Sequence, residues 1–506
     1  MNIENIYIKK ILQARVYDVA DKTPLDYATN LSKRFNNHIW IKREDRQPVF
    51  SFKLRGAYNK MAHLPKAVLA KGVIAASAGN HAQGVALSAA KLKIPAIIVM
   101  PKTTPEIKVT AVRNWGAEVI LHGTMYDDAS QYAKQLVAQK GLTYVHPYDD
   151  VEVIAGQGTI GMEILQQHSE ELDAIFVPVG GGGLIAGIAA YIKYLRPEIK
   201  VIGVEPTDAA CLHAALQAKE RVILEQVGIF ADGVAVRQIG QLPFDVARHY
   251  VDEVLVANTD EICAAIKDIF EETRVITEPA GALALAGLKK YVARENCQER
   301  HLVTIASGAN MNFERLGYVT ERTEIGEQRE ALMAVTIPEK TGSFRQFCHA
   351  IGHHFITEFN YRYAANEQAH VFVGIRLTEG FAEKDKLIAK WRDKGYPVVD
   401  LTDNEMAKSH IRHLVGGRTS GFLDERLYRF EFPERPGALL HFLTNMGQRW
   451  NISLFHYRNH GAAYGRVLIG IQVSNEQLDE FQTFLDNLGY PYWAEMDNPA
   501  YHLFLN

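Results

Sequence analysis

Cysteine is scarce in this chain: four in 506 residues, Cys211, Cys263, Cys297 and Cys348, all far apart. That spacing excludes both a disulfide framework and a C-x-x-C metal site, and it predicts a reducing compartment. Charge of one sign is missing too. Fifty-five Lys and Arg stand against 59 Asp and Glu, a net −4 with both signs interspersed. Without a basic field the chain is not expected to hold nucleic acid or an anionic membrane, and a small-molecule partner is the default. No uninterrupted apolar run is long enough to span a bilayer. The start, MNIENIYIKK, lacks a basic segment followed by an apolar signal core, so the expected location is the cytoplasm. What remains is ample apolar material, 47% of the residues, enough for roughly three domains.

From about Ile39 to Ser307, short β-branched runs alternate with longer helical stretches. The strand candidates are Val73–Ser77, Ala96–Met100, Glu118–His122, Ala174–Val179, Lys200–Glu205 and His301–Ser307, with HIWIKRED (His38–Asp45) alternating like a further strand. This rhythm predicts doubly wound, mostly parallel α/β sheets, with binding sites at the carboxyl ends of strands. Past about Arg322 the texture changes and repeats. IPEKTGSF (Ile337–Phe344) returns as FPERPGAL (Phe432–Leu439) at an offset of 95. FNYR at Phe359 returns as FHYR at Phe455, and VFVGI at Val371 as VLIGI at Val467, both at 96. GYP recurs at Gly395 and Gly489. Ordered echoes at a nearly constant offset indicate duplication. Each copy reads strand, turn, helix, paired strands, helix, strand, the split βαβ pattern. Asn404–Arg418 is expected to be a connecting helix between the copies.

Five segments carry candidate chemistry. In VFSFKLRGAYNK, Ser51 fits a helix cap and places Lys53 in the first turn, between Phe52 and Leu54. The helix dipole and the apolar wall both disfavour an ammonium there, which suits an amine that must act as an imine-forming nucleophile. The alternative is a lysine that lies along its apolar neighbours to reach water. VGGGGLIAG (Val179–Gly187) follows a strand and opens a helix, so converging N–H groups and the helix dipole can hold a phosphate. Gly181, Gly183 and Ala186, with Glu205 about twenty residues on, equally satisfy a dinucleotide fingerprint, and the loop leaves both readings open. ASAGNHAQG (Ala76–Gly84) offers Ser77, Gly79 and Asn80 at a helix start to an anionic group such as a carboxylate. His81 beside them is read as structural. Glu278 in TEPAGALALAG either complements a helix dipole or shapes a substrate pocket. Ser307 in IASGANMN offers a hydroxyl to a ring nitrogen without imposing charge. A dinucleotide leaves Lys53 unexplained; pyridoxal phosphate uses every part.

The motifs SFKLRGAY, SAGNHAQG, GGGGL, FADGVAV (Phe230–Val236), EPAGA and SGANMN, followed by the paired repeat, resemble biosynthetic threonine deaminase (threonine ammonia-lyase) over nearly the whole chain. The lysine and glycine motifs alone specify the wider class of serine/threonine dehydratases and racemases. The resemblance implies a fold type II catalytic domain at 1–320, tryptophan synthase β-like with two α/β lobes. It implies two ACT-like (βαββαβ) subdomains at 330–403 and 425–497. Lys53 would be the Schiff-base lysine and Phe52 would stack beside the pyridoxal 5'-phosphate ring. Asn80 would bond the ring hydroxyl, Gly180, Gly181, Gly182, Gly183 and Leu184 would bind the phosphate, and Ser307 would face the pyridine nitrogen. Ser77, Ala78, Gly79, Asn80 and His81 would form the substrate loop. The substrate would be L-threonine, with L-serine possible, isoleucine and valine the effectors, and a homotetramer the assembly. Relatives with a divalent cation use a glutamate that Glu205 matches, but Cys211 stands where the second acid is sought, so no metal is expected. Two other readings stay open: an NAD-linked oxidoreductase using the glycine loop with Glu205, and a C-terminal half that serves only oligomerisation.

Overall fold

Apolar runs such as Val73–Ala76, Ala96–Met100 and Ala174–Pro178 become parallel strands buried along their whole length, as strands that need no polar face do. In the computed structural model the described residues are 3–338, 346–347, 350–352, 354, 356–361, 368–413, 424–433, 442, 445–446, 449–458 and 464–505. The chain divides into two units, Met1–Phe313 and Glu314–Asn506. In the first unit the strands are β1 (Leu25–Tyr27), β2 (His38–Arg43), β3 (Val73–Ala76), β4 (Ala96–Met100), β5 (Glu118–Leu121), β6 (Thr143–Tyr144), β7 (Ala174–Pro178), β8 (Lys200–Pro206), β9 (Glu253–Ala257) and β10 (His301–Ala306).

They form two sheets. One has the order β1-β2-β10-β7-β8-β9 and is parallel apart from β1 against β2; the other, β5-β4-β3-β6, is wholly parallel. Strand β4 shows the two-sided burial directly. Ile98 and Met100 join one apolar layer with Val85, while Ile97 and Val99 join another with Ala133. Beside the larger sheet, helices Val151–Gln167 and Gly183–Leu195 meet where an added Cβ on Gly187 would lie 2.5 Å from the Ile154 carbonyl oxygen. Only glycine permits that approach.

A buried ion network ties helix Lys53–Ala62 to these elements. Arg55 bonds Glu44 (Nη2 to Oε1, 2.8 Å) and Glu163 (Nη1 to Oε1, 2.6 Å), and Lys42 bonds the second Glu163 oxygen at 2.6 Å. All four side chains are fully buried, two cations against two carboxylates, so none is left uncompensated.

The second unit holds β11 (Glu330–Pro338), β12 (Ile356–Tyr361), β13 (Gln368–Arg376), β14 (Val398–Asp400), β15 (Glu425–Pro433), β16 (Asn451–Arg458), β17 (Tyr464–Gln472) and β18 (Tyr492–Ala494). They make two antiparallel sheets of matching order, β12-β13-β11-β14 and β16-β17-β15-β18. The duplication extends to an irregularity. Register shifts between Ile356 and Glu358 in one copy and between Ile452 and Leu454 in the other. The repeated GYP follows helices Phe381–Asp393 and Leu478–Leu488, and both glycines are left-handed, φ +86° at Gly395 and +67° at Gly489. That is the helix-ending conformation glycine adopts without cost. The turns of IPEKTGSF and FPERPGAL past Pro338 and Pro433 lie outside the described residues, as does Arg362 of FNYR.

Two local expectations are corrected. Ser51 does not cap the lysine helix: the helix starts at Lys53 with Phe52 at the cap position, and Ser51 pairs with Gly308 in an isolated bridge. The connecting stretch is not one long helix. It forms only the short helix Glu405–Ser409, capped by the Asn404 side chain on the Ala407 N–H, then a 3-10 turn Ile411–His413, with 414–418 outside the described residues. Among the described residues no helix is long and apolar enough to cross a membrane.

Candidate active site

The carboxyl ends of β2, β3, β7 and β10 lead into four of the five segments singled out in the sequence, and the fifth, with Glu278, follows helix Thr259–Thr273. Lys53 opens its helix half-buried, with Nζ 3.2 Å from the Pro147 carbonyl oxygen, to which it donates, and 5.2 Å from the centre of the Phe52 ring. Burial lowers its pKa from 10.5 to about 8, opposed by the carboxylate of Glu278. Desolvation is what makes this amine available, since an ammonium away from water loses hydration that the single nearby carboxylate only partly replaces.

Backbone hydrogen bonds fix the lysine loop to the end of β10. Phe52 N–H donates to the Ser307 carbonyl (3.2 Å), and Ala309 N–H donates to the Phe50 carbonyl (2.8 Å). Phe50 itself sits at φ +54°, a region uncommon for a bulky residue. The Ser307 hydroxyl is buried and donates to the Ala280 carbonyl at 3.2 Å, so its lone pairs remain to meet a donor.

Asn80 begins helix Asn80–Leu92 and is engaged at both ends of its amide. Nδ2 donates to Glu278 Oε1 at 2.5 Å, and Oδ1 accepts from Asn310 Nδ2 at 2.6 Å. Asn310 also donates to the Val49 carbonyl (2.9 Å), so these bonds link four of the segments. The Ser77 hydroxyl accepts the Gly79 N–H at 3.3 Å, and a Cβ on Gly79 would meet open space. Ser77, Ala78 and Gly79 thus line an open side of a helix start that has no side-chain cap. His81 turns inward. Its Nε2 donates to the Val145 carbonyl (2.8 Å), and burial, then Lys53, pushes its pKa down to about 3, so it is neutral.

At the glycine run, helix Gly183–Leu195 also starts without a side-chain cap, and Gly182 has φ +88°. A Cβ on Gly181 would fall 2.1 Å from the Tyr148 ring, and one on Gly180 2.9 Å from the Val234 Cα. The run therefore serves packing as well as ligand approach, and it explains FADGVAV, whose Val234 lies on Gly180. Leu184, the next residue, is buried in the first helical turn.

These residues fit a phosphorylated pyridoxal group: an amine of lowered pKa, two helix starts without side-chain caps, whose dipoles favour an anion, and a buried hydroxyl. The buried Gln157 side-chain oxygen adds a polar atom without a partner, 2.6 Å from where a Gly183 Cβ would stand.

The dinucleotide reading fails on Glu205. Its carboxyl is fully buried and accepts the N–H groups of Leu212 and His213, both at 2.8 Å. Burial raises its pKa to about 7 against those bonds, so no free carboxylate faces a ribose. Cys211 Sγ lies 3.6 Å from the same group. Sequence reasoning passed over Gln157, Tyr148 and Asn310. Only the flanking Gly156 and Gly158 hinted at Gln157, by marking a helix under close approach.

Such a site, on two parallel sheets, defines a lysine-dependent enzyme built to carry pyridoxal phosphate. Residues 16–308 match the family model described as "Pyridoxal-phosphate dependent enzyme", and 321–411 and 416–505 match "C-terminal regulatory domain of Threonine dehydratase". The chain is 56% identical to the L-threonine dehydratase biosynthetic IlvA of Burkholderia multivorans over 99% of both chains. It is 52% identical to the chloroplastic biosynthetic threonine dehydratase of Arabidopsis thaliana over 99% of this chain and 84% of that one. Among solved structures, processed threonine deaminase isoform 2 from Solanum lycopersicum superimposes with a TM-score of 0.63 at 49% identity, covering 64% of this chain and 88% of that one. The T.th. threonine deaminase gives 0.57 at 36%, covering 60% and 99%. The chain belongs to the biosynthetic threonine dehydratase family of pyridoxal-phosphate dependent enzymes.

Proposed function

We propose that this protein converts L-threonine to 2-oxobutanoate and ammonia in the cytoplasm, as the first step toward isoleucine, with L-serine as a second candidate substrate. Water leaves in the elimination and is taken up again when the unsaturated amine hydrolyses, so the net products are the keto acid and ammonia. The amine of Lys53 carries the reading, because its lowered pKa lets one group both join an aldehyde and, once released, take the α-proton. When bound, the cofactor supplies that aldehyde and a ring that withdraws electrons from the α-carbon. Gly180–Gly183 and Leu184 would hold its phosphate through main-chain N–H groups, Phe52 would pack on the ring, and Ser307 would meet the ring nitrogen. Asn80, oriented by Glu278 and Asn310, would position the ring oxygen. Ser77, Ala78 and Gly79 would hold the substrate carboxylate at the helix start, while neutral His81 supports that loop from behind.

Residues 1–320 are assigned to catalysis, and 330–403 and 425–497 to two ACT-like subdomains that bind isoleucine in opposition to valine, within a homotetramer. The regulatory family model and the matched four-stranded sheets support that assignment. The test is 2-oxobutanoate formation from threonine with and without isoleucine. Lys53→Ala should lower turnover by about 10²–10⁴-fold or more, and borohydride should bleach the parent's visible band and leave a covalent label on Lys53 that the variant cannot carry. Wild-type turnover in the variant would refute the role of Lys53.

A further inference from the structure

At the amino ends of the strands of the large sheet, away from the lysine, three imidazoles gather on one indole. His301 opens β10 and stands in register with His38, which opens β2. Their ring centres are 4.6 Å apart, and Trp40 lies 5.2 Å from His301 and 4.4 Å from His168, the residue that ends helix Val151–Gln167. Aromatic packing accounts for the rings but not for their nitrogens. Nδ1 of His301 is buried and has no hydrogen-bond partner. The nearest carboxylate, Glu170, stands 3.7 Å from it, on a side chain 69% exposed and free to move.

The geometry points to a divalent-cation site formed by His168, Glu170 and His301, for an ion of borderline softness such as zinc. One nitrogen from each imidazole and one Glu170 oxygen lie within 4.8 Å of one another. Tetrahedral zinc with bonds near 2.0–2.1 Å holds its ligands about 3.3 Å apart, so the three ligand atoms, now within 4.8 Å of one another, close by at most about 1.5 Å, with Glu170 the exposed arm of the set. Two imidazoles and a carboxylate are a donor set such ions prefer, with water in the fourth position.

The supporting layer is already built. The Glu171 carbonyl oxygen is 3.2 Å from His168 Nε2 and accepts its proton, which fixes the tautomer. Asp173 takes the His301 N–H at 2.7 Å and returns its own N–H to the His301 carbonyl at 2.9 Å, so the loop carrying Glu170 is pinned to the strand carrying His301. The same Asp173 holds Arg300 at 2.9 Å, and Glu299 faces His38, so the surroundings do not repel a cation. The six residues of β10, about 20 Å of strand, separate this cluster from Ser307.

The experiment uses tag-free, chelator-washed holoenzyme titrated with zinc chloride in a calorimeter. The parent should bind one tight equivalent per chain, with Glu170→Gln and His301→Ala each weakening it at least tenfold, while the cofactor absorbance and threonine turnover stay unchanged. Copper(II) should quench Trp40 emission in the parent and not in His301→Ala. If His301→Ala fails to fold, the surface variant Glu170→Gln decides alone. Zinc bound as tightly by the variants as by the parent, or no binding below millimolar in the parent, overturns the site.

Discussion

At position 53 the decisive quantity is the proton on one nitrogen. Burial brings the amine down to about 8, and the Glu278 carboxylate holds it from falling further. The neutral form is therefore gained as pH rises through about 8 rather than through 10.5. Reconstitution of apoenzyme with pyridoxal phosphate, followed at the visible band, should accelerate with an apparent pKa near 8. Glu278→Gln removes the favourable charge, so the limb should move to lower pH; a limb that stays in place would show that Glu278 acts only by orienting Asn80. Gly181 is the second residue whose chemistry is geometric. A methyl there would meet the Tyr148 ring at 2.1 Å, and overpacking of this kind costs about 1–3 kcal/mol. Gly181→Ala should weaken cofactor binding by roughly ten- to a hundredfold, read as the concentration of pyridoxal phosphate needed to restore the band.

Among elements, the lysine helix is held by charge as much as by apolar contact. Arg55 lies two residues past Lys53 and bonds Glu44, which follows β2, and Glu163, on helix Val151–Gln167. Replacing it with methionine roughly keeps the volume but leaves the buried Glu44 without its cation and Glu163 with Lys42 alone. The expected loss is about 3–5 kcal/mol of unfolding free energy, measured by urea titration, with cofactor occupancy falling in parallel. A variant as stable as the parent would mean that water reaches the network.

For the whole molecule, the T.th. threonine deaminase matches 60% of this chain over 99% of its own length. A related fold can thus end near where the first unit ends. A chain stopped after Phe313 should keep measurable threonine turnover and lose its response to isoleucine. Full-length sedimentation alongside the truncated chain separates regulation from assembly: an unaltered isoleucine response in the truncated protein would move the effector site out of the second unit.

Sequence by itself determined the two α/β sheets, the duplication and the motif residues, because parallel strands read as unbroken apolar runs and a repeat reads as an offset. It also narrowed the lysine to an unusual amine. Tertiary structure alone decided between the two readings of the glycine loop, by sealing Glu205 under the backbone of the next helix. It moved the helix cap from Ser51 to Phe52, since the serine is drawn into a bridge with Gly308, more than 250 residues away in the chain. It also brought Gln157, Asn310 and the His168–His301 pair to their neighbours. Periodicity reports only local burial, whereas a proton's affinity, a carboxylate's availability and a ligand set depend on which distant segments the fold makes touch.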